Sequence, residues 1–175
     1  YNPPIDWQQD GAKLTVVTGP KTDFWRKTHY GFIRDNGHFF YQPVTGDFIA
    51  EVKITGDYET LYDQAGLMIR LDEFVWLKCG IEYVGGVQNI SAVVTHEFSD
   101  WSVIPLPQPP RSVCMRVTRR SESVEIHYSL DGVVYNMLRL AHFTLADTVQ
   151  VGVMAASPEG EGFKVEFDGF QAKNA

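Results

Sequence analysis

Apolar and polar residues alternate with a period of two along most of the chain, and no stretch sustains the i, i+3, i+4, i+7 apolar spacing of a long helix. This pattern predicts an all-β protein. Turns are indicated by Asn36-Gly37, Gly85-Gly86 and Asp131-Gly132, because such dipeptides tolerate positive φ angles. The predicted strands cover residues 13–18, 38–43, 47–55, 65–71, 75–84, 87–95, 112–120, 124–130, 134–140, 148–156 and 162–172. So many short strands in 175 residues favour one domain, 1–175, built as a two-sheet sandwich or a barrel.

Three neighbouring strands between residues 64 and 95 have a register that the turns between them determine. Gly85-Gly86 is taken as a two-residue hairpin turn, and residues 72–74 as a three-residue loop, since only this choice keeps the apolar residues on one face. The predicted cross-strand pairs are Glu82–Asn89, Gly80–Ser91, Lys78–Val93, Trp76–Thr95, Arg70–Trp76, Met68–Lys78 and Gln64–Glu82.

The two faces of these strands differ sharply in polarity. One is apolar, whereas the other bears Gln64, Arg70, Trp76, Lys78, Glu82, Asn89, Ser91 and Thr95. An indole among charged and amide side chains suits a sugar, whose C–H face stacks on an aromatic ring while its hydroxyls bind polar groups. An alternative, favoured by the spacing alone, is an ordinary solvated sheet face on which Trp76 is covered by Arg70 or by a loop.

Charge and composition narrow the classes of partner. The chain carries 22 acidic against 15 basic residues, a net charge of -7, which argues against nucleic acid as a partner. No apolar run approaches the roughly 20 residues that span a bilayer, so no membrane role is expected. Residues 1–11 lack the basic start and apolar run of a signal peptide, and Cys79 and Cys114 form neither a disulfide framework nor a zinc motif. We therefore expect a cytoplasmic protein without a cofactor.

Six motifs, "YDQAGLMIR", "WLKCGIEY", "SAVVT", "SDWS", "YSLDG" and "ASPEGEGFKVEFDGF", together resemble a domain-of-unknown-function family named for a regulation-of-enolase protein, within the concanavalin A-like lectin/glucanase superfamily. The resemblance runs from about Asp23 to Phe170. It implies a jelly-roll sandwich of two antiparallel sheets whose concave groove holds the ligand in sugar-binding and sugar-cleaving relatives. The positions that match the motifs and are implied at the groove or its rim are Tyr62, Asp63, Gln64, Trp76, Lys78, Glu82, Ser99, Asp100 and Trp101.

Candidate catalytic groups are fewer. Glycoside hydrolysis needs two carboxylates roughly 5 to 10 Å apart. The strand motif of the superfamily's glucanases is incomplete here, because "VEFDGF" provides Glu166 and Asp168 without the final glutamate. Glu82 with Asp63 or Asp100, or Lys78 as a base, remain weak candidates. Glu125 and His127 share a strand face without a third ligand, so no metal site is predicted.

Three functions stay open. The first is non-catalytic or accessory binding of a carbohydrate or other sugar-like small molecule in the groove. The second is an enzyme of glycosidase, lyase or isomerase type that acts on a sugar derivative. The third, which rests on the family's name, is an intracellular regulatory protein with a protein partner. The predicted ligand-binding residues are Tyr62, Asp63, Gln64, Arg70, Trp76, Lys78, Glu82, Asn89, Asp100 and Trp101.

Overall fold

The computed structural model describes residues 1–175, which form fifteen strands and no helix. The strands are β1 (Asp6–Asp10), β2 (Lys13–Val17), β3 (Phe24–Arg26), β4 (Ile33–Asp35), β5 (His38–Thr45), β6 (Phe48–Gly56), β7 (Gln64–Arg70), β8 (Val75–Val84), β9 (Val87–His96), β10 (Phe98–Pro105), β11 (Val113–Arg120), β12 (Ser123–Ser129), β13 (Asn136–His142), β14 (Thr148–Ala156) and β15 (Lys164–Asn174). The all-β prediction is confirmed. Every predicted segment contains a strand, while β1, β3, β4 and β10 were not predicted. No helix is present that could cross a bilayer.

Two antiparallel sheets pack face to face as a jelly-roll-like sandwich. The seven-stranded sheet has the order β1-β2-β15-β6-β11-β12-β13, and the six-stranded sheet has the order β10-β9-β8-β7-β14-β5. The inner faces of both contribute to one apolar core, in which Phe48, Leu77, Val117 and Phe167 are almost completely buried. Burial of these side chains is the main source of stability, since each contributes about 1.5–3 kcal/mol. The polar residues of β7, β8 and β9 consequently lie on the outer face of the six-stranded sheet.

The predicted register of β7, β8 and β9 is confirmed in every pair. At the centre of this sheet, the backbones of β7 and β8 approach closely where Gly66 faces Gly80. A Cβ atom on Gly66 would lie 1.9 Å from the carbonyl oxygen of Cys79, and one on Gly80 would lie 2.0 Å from that of Ala65. Only glycine fits at these two positions, because no side-chain movement relieves a clash with backbone.

A short hairpin, residues 23–36, crosses the outer face of the six-stranded sheet; we call it the strap. It contains β3 and β4, which pair only with each other. Beneath it lies a second apolar core of Phe24, Trp25, Phe39, Met68, Trp76, Val93, Met154 and Ala156. Met68, Val93 and Met154 are apolar residues on an otherwise polar sheet face. The strap covers them and so removes their apolar surface from water, which is favourable.

Polar bonds fix the strap to the sheet at two places. At the edge strand β10, the backbone N–H of Arg26 donates to Ser99 Oγ at 3.0 Å, and its guanidinium contacts Glu97 Oε2, just before that strand, at 3.0 Å. At the interior strand β7, both terminal nitrogens of Arg70 donate to the carboxylate of Asp35, at 2.7 and 2.8 Å. This bidentate guanidinium–carboxylate interaction is a strong, charge-assisted one.

Candidate functional site

A cavity of about 100 Å³ opens between the strap and the sheet, at the end of the outer face that the second core leaves free. It exceeds several-fold the roughly 10–15 Å³ that one water needs, so it can hold a small ligand. We call it the strap cavity. It is lined by Asp23, Trp25, Tyr30, Phe32, Tyr62, Gln64, Lys78, Glu82, Trp101, Pro158 and Glu159.

Lys78 lies in the floor of the strap cavity and is almost completely buried. Its ammonium donates to the carbonyl oxygen of Phe24 at 2.7 Å and to Gln64 Oε1 at 2.5 Å, and lies 3.5 Å from Asp23 Oδ1. A buried charge needs such partners to offset the loss of hydration. The ammonium therefore holds the strap against the sheet. With its protons engaged in this way, it does not support the base role considered from sequence.

Glu82 is the second charged group of the floor. Its Oε2 accepts hydrogen bonds from Ser91 Oγ at 2.7 Å and from Trp101 Nε1 at 2.8 Å. Burial raises the pKa of the Glu82 carboxyl, although Lys78 and the two donors act against the shift. A raised carboxyl pKa inside a cavity suits proton exchange near neutral pH.

Aromatic rings form the walls of the strap cavity. Tyr30 stacks on Phe32 with ring centres 5.4 Å apart and meets Trp25 edge-on at 5.7 Å, while Tyr62 meets Trp101 edge-on at 6.4 Å. The hydroxyls of Tyr30 and Tyr62 share a hydrogen bond of 2.8 Å. That bond, together with burial, raises the pKa of Tyr62 to about 12. The walls thus present apolar ring faces and one spare hydroxyl proton.

Tyr62, Gln64, Lys78, Glu82 and Trp101, five of the predicted ligand residues, line the strap cavity. The prediction of Trp76 as a stacking platform is wrong, because its indole is only 1% exposed. Phe24 of the strap packs over it with ring centres 6.2 Å apart. The alternative that a loop covers Trp76 is the one that the structure shows.

Arg70, Asn89 and Asp63 are also misplaced as ligand residues. Arg70 is buried and engaged with Asp35. The amide of Asn89 donates to the carbonyl oxygens on either side of the Gly85-Gly86 turn, those of Val84 and Val87, at 3.1 and 2.9 Å. Asp63 is buried and accepts bonds from the backbone N–H groups of Glu59 and Thr60 and from the Ser157 hydroxyl. All three stabilise the fold.

Asp100 and Ser99 belong to β10, a strand that was not predicted from the sequence. Asp100 pairs with Val94, a residue of the main core, so its side chain points away from the strap cavity. Ser99 is buried and bonded to the strap. Neither is therefore available to a ligand in the strap cavity.

Six lining residues were not predicted: Asp23, Trp25, Tyr30, Phe32, Pro158 and Glu159. Four belong to the strap, whose sequence "DFWRKTHYGF" is dense in aromatic residues but shows no alternation. That density was the available signal. The carboxylates that share the strap cavity with Glu82 are Asp23 and, at the rim, Glu159, and not Asp63 or Asp100 as considered from sequence. No group of three or more His, Cys, Asp or Glu side chains is placed to hold a metal ion.

Comparison with known proteins gives matches over the whole chain. Residues 1–175 match a family described as protein of unknown function (DUF1349). A Saccharomyces cerevisiae protein named Regulation of enolase protein 1 is 43% identical over 166 residues, which cover 95% of this chain and 84% of the relative. A crystal structure of a functionally unknown Saccharomyces cerevisiae protein superposes with a TM-score of 0.96 at 41% identity and covers 100% of this chain and 95% of that one. The carbohydrate binding module CBM66 from Bacillus subtilis shares the fold, with a TM-score of 0.61 at 10% identity and coverage of 97% and 91%.

Proposed function

The chain belongs to the DUF1349 family. We propose that it binds a carbohydrate or sugar-like small molecule in the strap cavity without catalysing a reaction. The observation that carries the proposal is the enclosure of Gln64, Lys78 and Glu82 by five aromatic side chains. Sugar rings bind in such sites because their C–H faces stack on aromatic rings while hydroxyls bond to polar groups. A neighbour of the same fold is itself named a carbohydrate binding module, which supports the ligand class.

Trp101 takes the place that sequence analysis gave to Trp76. Its ring is 37% exposed, and its indole N–H is bonded to Glu82, so one edge is fixed while part of the ring remains accessible. Tyr30 and Phe32 face the same strap cavity from the strap and are also partly exposed. A sugar ring entering the strap cavity would therefore contact rings from both the sheet and the strap.

A glycan array probed with the purified protein and with Trp101→Ala tests the proposal. The matched control is Trp7→Ala, since Trp7 is an exposed indole on β1 of the other sheet. We expect Trp101→Ala to lower affinity for the bound glycans at least about tenfold, a loss of 1.4 kcal/mol, and Trp7→Ala to leave it unchanged. The proposal fails if no glycan binds, or if both variants bind like the parent protein.

A second candidate is acid–base chemistry on the bound sugar. It is favoured by the raised pKa of the Glu82 carboxyl and by Asp23 as another carboxylate in the same strap cavity. Pairs of carboxyl groups in unlike environments carry out glycoside hydrolysis. Release of nitrophenol from nitrophenyl glycosides, abolished by Glu82→Gln, would establish this activity, whereas binding without turnover supports the first proposal. The open strap cavity gives no support to a purely protein-binding role.

A further inference from the structure

The hydrogen-bond donors of the strap cavity are nearly all engaged within the protein. Its four nitrogen donors are the side chains of Lys78, Gln64, Trp101 and Trp25. The Lys78 ammonium donates to Phe24 and Gln64, and the Trp101 indole N–H donates to Glu82. Gln64 Nε2 donates to Asp23 Oδ1 at 3.3 Å and to the carbonyl oxygen of Tyr62 at 3.2 Å, and Trp25 Nε1 donates to that of Thr28 at 2.9 Å. One hydroxyl proton of the Tyr30–Tyr62 pair remains for a ligand.

Acceptors, in contrast, remain free. Glu82 Oε1 and Asp23 Oδ2 accept no hydrogen bond from the protein, since the bonds to these two carboxylates all involve the other oxygen. Neither oxygen is sealed in the interior, because the enclosed side-chain atoms without a partner are those of Tyr58 and His127. Acceptors that are open to a cavity take hydrogen bonds from whatever occupies it.

The formal charge of the lining has the same sign. Asp23, Glu82 and Glu159 face one ammonium, that of Lys78, so three negative charges against one positive leave a formal charge of -2. Glu159 lies at the rim, is exposed and forms no salt bridge. A ligand carboxylate would meet this field and find no free cation in the floor. A positively charged ligand would be attracted to it.

The aromatic walls favour the same ligand for an independent reason. The face of an aromatic ring carries a negative quadrupole, and rings around a cavity are a known arrangement for ammonium groups. Trp25, Tyr30, Phe32, Tyr62 and Trp101 line the same cavity as the carboxylates of Glu82 and Asp23. Rings and acceptors together therefore fit a group that is cationic and donor-rich.

We infer that the ligand of the strap cavity is a sugar with a free amino group, whose ammonium binds between Glu82 and Asp23 while the sugar ring contacts the aromatic walls. This inference rests on the proposed function, since it specifies the ligand of the same site. A neutral sugar lacks the charge pairing, an N-acetylated sugar loses both the charge and two of the donors, and a sugar acid is repelled.

Isothermal titration calorimetry with matched sugars tests the inference. The panel is glucosamine, galactosamine and mannosamine, each with its parent hexose, its N-acetyl form and, for glucose and galactose, the uronic acid. We expect at least one amino sugar to bind about tenfold or more tightly than its parent and its N-acetyl form. The uronic acids are expected to bind most weakly.

Charge variants separate the site from the general attraction of an acidic protein. Glu82→Gln keeps the shape of the side chain and is expected to lower amino-sugar affinity about tenfold and neutral-sugar affinity by a smaller factor, because only the amino sugar also loses a charge pairing. Glu125→Gln removes the same charge from β12 in the other sheet and is expected to change neither affinity. Glu159→Gln, at the exposed rim, is expected to weaken amino-sugar binding about two- to threefold, and its exposed position makes a large effect on folding stability unexpected.

The outcomes distinguish the two levels of the proposal. Equal or tighter binding of a parent hexose or an N-acetyl sugar overturns the amine inference and leaves sugar binding intact, as does equal loss of amino-sugar affinity in Glu82→Gln and Glu125→Gln. Tightest binding of a uronic acid also overturns it. The absence of binding to every member of the panel and to every glycan of the array overturns both.

Discussion

Replacement of Trp76 by alanine tests whether the strap and the six-stranded sheet share a true apolar core. Trp76 is 1% exposed and packs with seven other buried apolar residues. Truncation of a buried aromatic side chain to alanine costs about 3–5 kcal/mol, which combines lost transfer free energy with the cavity that remains. We expect the free energy of unfolding to fall by about 4 kcal/mol. The carbonyl oxygen of Phe24 accepts a hydrogen bond from the Lys78 ammonium, so Phe24 cannot move fully into the cavity that the indole leaves. This loss is large, because the total free energy of unfolding of a domain is only about 5–15 kcal/mol.

Urea denaturation followed by far-ultraviolet circular dichroism measures this loss. With a slope of about 2 kcal/mol per molar urea, the midpoint should fall by about 2 M. Trp7→Ala is the control, since Trp7 is 58% exposed and its removal should cost less than about 1 kcal/mol. An unchanged midpoint for Trp76→Ala together with lost glycan binding would refute the reasoning, because it would make Trp76 an exposed ligand platform.

Three further predictions concern other contacts. Asp35→Ala leaves the buried guanidinium of Arg70 without its carboxylate and should lower the free energy of unfolding by about 3 kcal/mol or more in urea, whereas the exposed Asp100→Ala should change it by less than about 0.5 kcal/mol. Gly80→Ala forces a Cβ against the Ala65 carbonyl and should abolish the cooperative thermal transition, while Gly19→Ala, with ordinary contacts only, should retain it. Because burial raises the pKa of Glu82 above its usual 4.5, the folded state retains a proton that the unfolded chain releases, and this group's contribution to stability falls as pH rises through the folded-state pKa. The stability of Glu82→Gln relative to the parent protein should therefore increase between pH 4 and pH 8, and a difference that is constant with pH would contradict the assignment.

The sheet that carries the site could be predicted because its determinants are local. Alternation with a period of two places Gln64, Lys78 and Glu82 on one face, and the Gly85-Gly86 turn fixes which residues lie opposite. A register shifted by one residue would bury charges in the main core. Strand alternation and turn geometry are therefore sufficient to predict that Gln64, Lys78 and Glu82 lie close together.

The strap could not be predicted, because its determinants are not local. Its strands are three residues long, too short for alternation to be visible. The burial of Trp76 depends on Phe24, which is distant in the chain, and nothing in the sequence near Trp76 indicates a cover. Besides the aromatic density of the strap itself, the hint was that Met68 and Val93 share the polar face and would otherwise expose apolar surface. The carboxylate of Asp23 was missed for the same reason.

The fixing of the strap to both β10 and β7 has a consequence for the proposed carbohydrate ligand. A polymer lying lengthwise across the sheet would have to separate Phe24 from Trp76 and break the bonds of Arg26 and Asp35. A carbohydrate ligand of the kind proposed would thus enter as a single unit or as a chain end, and not through the interior of a long chain. The number of molecules bound would then depend on the number of chain ends and not on the mass of the polysaccharide. A polysaccharide end and the free monosaccharide of the same kind would bind with similar affinity, and branching or trimming that creates more ends would create more binding sites.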